Sequence, residues 1–344
     1  MRTLSILVAI LMGLAGGCGR GGAPGEISEF ILVANRDSGS LSVIDVKGNT
    51  VVRTVALPAG ARPGYVVFSR EHRRIYVGDD ANARIIVIRA DTYEHVLDLP
   101  MPADVFHMWI GGGLLWAVDR TDVSVAAFDL ATNTRIAVVP IPADLRALGG
   151  VPHDIVADAD HAFVTILDVS GEPDVVVKIG AVSFVEEGRA PVGEDPHVFL
   201  HPSDRRLFVA CQDTDEVFVL DRDTMAEIMV VPILGGHGVW VPADGRTLYV
   251  TNFPGHLPGG GPGPGAVGLF AVDLDTHTAI GGTFAPHRSP HNITSTRDGR
   301  RLYVTHSDRG TKVTVYDTVP GAVPVLLGEI DVGDNPFGIA HFLP

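Results

Sequence analysis

The sequence is poor in cysteine, and this excludes a fold held together by disulfides. Of its 344 residues only Cys18 and Cys211 are cysteines. Cys18 lies in a segment with the features of an export signal, so lipidation or cleavage there leaves Cys211 without a partner. The folded domain must therefore be stabilised by its hydrophobic core alone.

Several catalytic motifs and a basic surface are also missing. No G-x-S-x-G, H-E-x-x-H or C-x-x-C segment occurs, which removes the serine-hydrolase elbow, the zinc-protease helix and the thiol-redox motif from consideration. The 26 Lys and Arg residues face 41 Asp and Glu residues, a formal net charge of −15. Because an acidic surface repels phosphate groups, we expect no nucleic-acid partner and no direct binding to anionic lipid.

One apolar run stands out, Leu4–Leu14, and it is shorter than the roughly 20 residues that a membrane-spanning helix needs. Small residues follow it and lead to Cys18, an order typical of an export signal that resembles a bacterial lipobox. We predict that residues 1–18 are a secretion or lipoprotein signal, that Cys18 carries the lipid, and that residues 19–28 form a flexible tether. Since Ala15 stands where a lipobox usually has leucine, ordinary cleaved secretion remains an alternative. Both readings place the protein in the cell envelope, in the periplasm or at the surface.

The strongest signal in the chain is a repeated segment. PHNITSTRDGRRLYVTH and GHGVWVPADGRTLYVTN can be written one under the other, and further copies are looser. Copies begin at Pro63, Phe106, Pro152, Pro196, Gly236 and Pro290. A seventh copy is split, because its first strand appears only at Pro336 and its remainder opens at Glu29.

Each repeat contains four short runs of β-branched and aromatic residues separated by turn residues, without a helical period. Four strands in about 45 residues are typical of a β-propeller blade. We therefore predict an all-β fold in which residues 29–344 form a monomeric seven-bladed β-propeller of four-stranded blades. A C-terminal strand would complete the first blade and close the ring, which removes an open sheet edge. The alternative, an open β-solenoid, has no need for a half-repeat at each end.

The segments LYVTN, RDGRRLYVTH and VFVLDRDT resemble those of the YVTN-repeat β-propellers, a family of bacterial exported and cell-surface proteins. The resemblance covers essentially the whole chain from Glu29 to Pro344. It implies the propeller fold but leaves the function open, because the family includes surface binding proteins of unknown ligand. Related propellers include sugar lactonases and redox enzymes.

Histidines mark the candidate site. The first position of the innermost strand is histidine in five of the seven repeats, and the other two repeats have Gly64 and Phe337. The five are His107, His153, His197, His237 and His291. Propeller geometry places them at one mouth of the central channel, with His306 on the same face. Imidazole nitrogens together with carboxylates from the nearby loops suit a divalent cation, so copper or zinc is the candidate cofactor.

Two other interpretations of the histidines remain open. Such a residue in WD-repeat propellers often hydrogen-bonds to Ser, Thr or Asp and locks neighbouring blades, and it can also contact an organic ligand directly. Our leading prediction is a non-catalytic binding or scaffold protein whose ligand, a small molecule or an envelope protein, binds at this mouth. The first alternative is a copper- or other metal-dependent oxidoreductase, since the arrangement resembles copper-binding propeller enzymes such as nitrous oxide reductase. The second is a lactonase.

Overall fold

Seven four-stranded antiparallel sheets form the fold. The computed structural model describes residues 28–253 and 267–344. Blade 1 joins the two ends of the chain, and its strands are β1 (Phe30–Asn35), β2 (Ser40–Asp45), β3 (Thr50–Ala56) and the C-terminal β28 (Pro336–Phe342).

The other six blades each use four consecutive strands. Blades 2 and 3 consist of β4 (Pro63–Ser69), β5 (Arg74–Asp79), β6 (Arg84–Arg89), β7 (His95–Pro100), β8 (Met108–Gly111), β9 (Leu114–Asp119), β10 (Ser124–Asp129) and β11 (Thr134–Pro140). Blades 4 and 5 consist of β12 (Val151–Ala157), β13 (His161–Leu167), β14 (Val175–Gly180), β15 (Glu186–Pro191), β16 (Pro196–Leu200), β17 (Arg206–Cys211), β18 (Glu216–Asp221) and β19 (Glu227–Pro232). Blades 6 and 7 consist of β20 (Gly236–Trp240), β21 (Thr247–Asn252), β22 (Val267–Asp273), β23 (Thr278–Phe284), β24 (Pro290–Ser295), β25 (Arg301–His306), β26 (Lys312–Asp317) and β27 (Val325–Asp331).

The position of each strand in its blade follows from its side chains. The second strands, such as β5 and β25, are apolar on both faces and almost completely buried, because neighbouring blades cover both sides. The outermost strands, such as β3, are exposed along most of their length. The hydrophobic core is therefore divided into layers between successive blades, with Trp116 and Tyr76 among the largest fully buried side chains.

The ring closes as the sequence predicts. β28 pairs antiparallel with β1, and each inner strand contacts the next around the axis, including β24 with β28 and β28 with β4. Phe342 is fully buried there, with its ring centroid 4.8 Å from that of Phe68 and 5.9 Å from that of Phe30. The prediction of a seven-bladed propeller closed by its C-terminal strand is confirmed, and the open solenoid is excluded.

Buried threonines join neighbouring blades. The Thr251 hydroxyl in β21 accepts a hydrogen bond from the Gly238 N–H and donates one to the His291 carbonyl of the next blade, both at 2.8 Å. A Cβ at Gly238 would overlap that same carbonyl, so glycine is required for the close approach. Thr305 repeats the bond, donating to the Phe337 carbonyl at 2.7 Å. These contacts fix the inner strands that carry the histidines.

The structure differs from the sequence analysis at one element. A short helix, α1 (Ala143–Ala147), connects β11 to β12 and packs Leu145, 4% exposed, against the core. Five residues are too few to show a helical period, so the sequence pattern did not reveal it. Within the described ranges, no helix is long and apolar enough to cross a membrane. The predicted signal and the lipidation site Cys18 lie outside the described residues, as does all of the predicted tether except residue 28.

Candidate functional site

The five predicted histidines meet at the propeller axis. Four are the second or third residues of inner strands, whereas His107 immediately precedes β8, and all five are at most 8% exposed. Their ring centroids form a continuous arc, His107 to His153 at 5.7 Å, His153 to His197 at 4.7 Å, His197 to His237 at 3.7 Å and His237 to His291 at 4.5 Å. We call these five residues the axial cluster.

The two repeats without histidine fill the rest of the ring differently. The Phe337 ring lies 4.2 Å from that of His291, and the Arg36 guanidinium stacks over Phe337 at 3.5 Å. The Tyr65 ring then contacts His107, 3.8 Å between centroids. Gly64 adjoins Arg36, since a Cβ there would contact its guanidinium at 3.4 Å. The sequence analysis missed Arg36 and Tyr65.

Burial keeps four members of the axial cluster uncharged. It lowers the pKa of His153 to about 3 and holds the pKa values of His197, His237 and His291 well below the ordinary value of 6.5. Neighbouring imidazoles add to this effect, since protonating one disfavours protonating the next. A neutral imidazole has one nitrogen with a free lone pair, which can accept a proton or bind a metal ion.

Three members of the cluster have side-chain partners. The His107 Nδ1–H donates to Asp154 Oδ1 at 2.6 Å, and the His237 Nδ1–H donates to the Gln212 side-chain carbonyl at 2.8 Å. The Asn292 amide donates to His291 Nδ1 at 2.7 Å. The first two contacts join neighbouring blades and match the structural interpretation, whereas Asn292 adjoins His291 in the same strand.

Three ring nitrogens of the cluster are buried without a hydrogen-bond partner: His107 Nε2, His153 Nδ1 and His197 Nε2. Two of them, His153 Nδ1 and His197 Nε2, face the same carboxylate oxygen, Asp195 Oδ1, at 4.0 and 3.8 Å. An unpaired buried polar atom is costly, so two of them aimed at one carboxylate call for a functional explanation. We call these three residues the His153–Asp195–His197 group.

Two members of this group, His153 and Asp195, line a cleft of about 670 Å³ at the mouth. Among the described residues that line the cleft, Arg120 is the one cationic side chain, and it lies over the Phe106 ring at 4.9 Å. The walls are otherwise rich in carboxylates: Asp168, Glu172, Asp174, Glu194 and Asp213. Burial, with added repulsion from Asp213 and Asp174, raises the pKa of Asp195 to about 6.

His306, the sixth predicted site residue, lies apart from the axial cluster. Its Nδ1 is 3.1 Å from the Arg288 carbonyl and its Nε2 is 2.9 Å from the Thr314 hydroxyl. Its ring contacts that of His287 at 5.4 Å, and no ring contact to the axial cluster occurs among the described residues. Cys211 is completely buried, and this burial raises the pKa of its thiol, as expected for a core residue.

The sequence analysis missed Asp154, Asp195 and Arg120. The two aspartates were visible as neighbours of the histidines, since Asp154 follows His153 and Asp195 precedes His197 by two residues. Not every loop carboxylate near the mouth belongs to the site: Asp119 is fully buried and accepts backbone N–H bonds from Ala103, Asp104 and Asp122.

No family model matches the chain, and no curated protein matches its sequence. Solved structures do resemble it. The periplasmic gluconolactonase PpgL of Pseudomonas aeruginosa superposes with a TM-score of 0.74 at 16% identity, covering 92% of this chain and 100% of that one. A candidate 6-phosphogluconolactonase from Bacteroides fragilis gives a TM-score of 0.73 at 14% identity, covering 93% and 99%. The dihydro-heme d1 dehydrogenase NirN gives 0.65 at 12% identity, covering 95% and 78%.

These likenesses establish the seven-bladed propeller fold, and at such low identity they establish the fold alone. They also correct the leading functional prediction. The prediction of a non-catalytic binding or scaffold protein is wrong, because the similar propellers named above carry the names of enzymes, and gluconolactonases recur among them. The enzyme alternatives are therefore the ones to weigh against the site.

Proposed function

We propose that this protein is a lactonase that hydrolyses sugar lactones in the cleft beside the axial cluster. The observation that carries the proposal is the position of three groups in one cleft: the His153 imidazole, the Asp195 carboxylate and the Arg120 guanidinium. The propellers named as gluconolactonases support it, since they have the same fold over nearly the full length of both chains.

The chemistry requires an activated water and a stabilised oxyanion. A water can lie about 2.8 Å from both His153 Nδ1 and Asp195 Oδ1, because these atoms are 4.0 Å apart. The Asp195 carboxylate, with its pKa raised to about 6, takes a proton from the water as the water oxygen attacks the lactone carbonyl carbon. The carbonyl electrons move to oxygen, where Arg120 stabilises the negative charge. Collapse of this intermediate breaks the ring C–O bond, and the protonated Asp195 returns the proton to the ring oxygen. The product is a hydroxy acid.

The charge of the cleft indicates the substrate class. Its carboxylates can accept hydrogen bonds from the hydroxyl groups of a sugar, whereas they repel a phosphate or another carboxylate. We therefore expect an uncharged sugar lactone to be preferred over a phosphorylated one. The product is an anion, so the same repulsion favours its release.

The proposal is tested by following acid release from glucono-δ-lactone and its 6-phosphate above the spontaneous rate. We expect turnover of the neutral lactone and a fall in kcat of about 10²–10³-fold in Arg120→Met, the cost of losing one oxyanion donor. Arg62→Met is the matched control, because Arg62 pairs with Asp80 at 2.9 Å outside the cleft. No turnover of either lactone, or equal rates in Arg120→Met and the wild type, would contradict the proposal.

A metal-dependent oxidoreductase is the second candidate. The unpartnered imidazole nitrogens favour it, and one similar propeller is named a dehydrogenase. It predicts a redox-active ion such as copper, with a visible spectrum that changes on addition of a reductant. A colourless protein that hydrolyses lactones would exclude it.

We also propose that the protein is an exported, monomeric member of the YVTN-repeat family, anchored by a lipid on Cys18. The repeat segments and the signal support this, together with a similar propeller described as periplasmic. Mass spectrometry of the mature N-terminus tests it, and Cys18→Ser should release the protein from membranes. An unmodified N-terminus at another residue would contradict the lipid anchor.

A further inference from the structure

The geometry points to a zinc-type divalent metal site in the His153–Asp195–His197 group, with its open coordination position facing the cleft. The inference begins from two buried ring nitrogens that have no hydrogen-bond partner and share one carboxylate, His153 Nδ1 and His197 Nε2. Their side chains are 9% and 4% exposed, so they have little contact with bulk solvent. Both nitrogens face one carboxylate oxygen.

The distances suit an ion after a small adjustment. Zinc lies about 2.0–2.1 Å from imidazole nitrogen and carboxylate oxygen, so two ligand atoms of a tetrahedral ion are about 3.4 Å apart. The observed separations from Asp195 Oδ1 are 4.0 Å to His153 and 3.8 Å to His197. The Asp195 side chain is 28% exposed and can turn to close the remaining gap of about half an ångström.

A second carboxylate supports the first ligands. Asp154 Oδ2 lies 3.8 Å from His197 Nδ1, the nitrogen on the opposite side of the ring from the proposed ion. Asp154 is itself held by the His107 ring at 2.6 Å and by the Val198 N–H at 3.0 Å. The 3.8 Å separation is longer than a hydrogen bond, and a small rotation of the His197 ring on binding the ion would close it. A carboxylate bonded to a histidine ligand orients the ring and makes its other nitrogen a better donor.

The ligand atoms of the site and the negative charge of the cleft indicate which ions can bind. Two imidazoles and one carboxylate suit zinc and similar first-row ions, whereas calcium and magnesium prefer oxygen ligands throughout. Asp174 and Asp213 line the same cleft and add negative charge, which a divalent cation offsets. His153 and Asp195 also line it, so the fourth coordination position is accessible to water or substrate.

This inference deepens the proposed lactonase, and its catalytic consequence rests on that function. A zinc-bound water has a pKa near 7, far below that of bulk water, so the ion would supply the hydroxide that attacks the lactone. Metal binding is measured without substrate, and the two ideas can therefore fail separately. Zinc bound at this group by a protein without lactonase activity supports the site and removes the proposed function.

The experiment is a zinc titration by calorimetry of tag-free protein stripped with a chelator. We expect one zinc per chain, at least tenfold weaker binding in Asp195→Asn, and none in the double variant His153→Ala/His197→Ala. Cobalt should give visible bands of a four-coordinate ion in the wild type and lose them in the same variants. Circular dichroism checks that the double variant is folded. If the double variant does not fold, Asp195→Asn still tests the site.

His291→Gln is the matched control, since His291 is equally buried in the axial cluster but is not among the proposed ligands. It should bind zinc as the wild type does. Failure of the wild type to bind stoichiometric zinc would overturn the inference. An unchanged zinc affinity in Asp195→Asn, together with unchanged cobalt bands, would also overturn it.

Discussion

Closure of the ring by the C-terminal strand makes a quantitative prediction about Phe342. This residue is fully buried in β28, and its ring contacts those of Phe30, Phe68 and Tyr93 from blades 1 and 2. Replacing a buried phenylalanine by alanine removes the transfer free energy of the ring and leaves a cavity, at a cost of about 3–5 kcal/mol. We expect Phe342→Ala to lower the free energy of unfolding by this amount.

The assay is urea unfolding of the wild type and the variant, followed by fluorescence and circular dichroism to check that the transitions coincide. Phe284→Ala is the control, because Phe284 is 60% exposed on an outer strand and its replacement should change the free energy by less than about 0.5 kcal/mol. A loss below about 1 kcal/mol in Phe342→Ala would show that β28 does not seal the ring.

Three further predictions concern buried polar groups. Thr251→Val should cost about 1–3 kcal/mol in urea unfolding, since it leaves the Gly238 N–H and His291 carbonyl unpaired; a cost equal to that of exposed Thr54→Val would contradict this. The pKa of His306 is about 4 in the folded protein and 6.5 in the unfolded chain. The unfolded chain therefore takes up the proton first, and the free energy of unfolding should fall by about 3 kcal/mol between pH 6.5 and pH 4. His306→Gln should reduce this fall in the free energy of unfolding, and an unchanged fall would contradict the lowered pKa of His306. The Cys211 thiol should react with Ellman's reagent only after unfolding; rapid reaction of the folded protein would contradict its burial.

The fold could be predicted because seven copies of one pattern repeat the same information. Strand β25 and its equivalents carry continuous apolar runs, and the split repeat at Glu29 and Pro336 indicates closure. The short helix around Leu145 could not be predicted, since its stability comes from one buried side chain and not from a period.

The site could be predicted only in part. Equivalent repeat positions placed five histidines correctly at the axis, because the propeller repeats each position around one centre. The pattern could not separate His153 and His197 from the others, since the difference is that an unpartnered nitrogen of each faces the same oxygen of Asp195. His306 was predicted to lie on the same face as the five axial histidines, but its ring is held by Thr314 of its own blade.

The most direct test of the account is a crystal structure with gluconolactam, an uncharged analogue whose ring amide resists hydrolysis. We predict that it occupies the cleft, with its carbonyl oxygen toward Arg120 and its carbonyl carbon next to the His153–Asp195–His197 group. Binding instead in the 570 Å³ cavity beside Asp45 and Arg300, with the mouth cleft empty, would contradict the assignment of the active site.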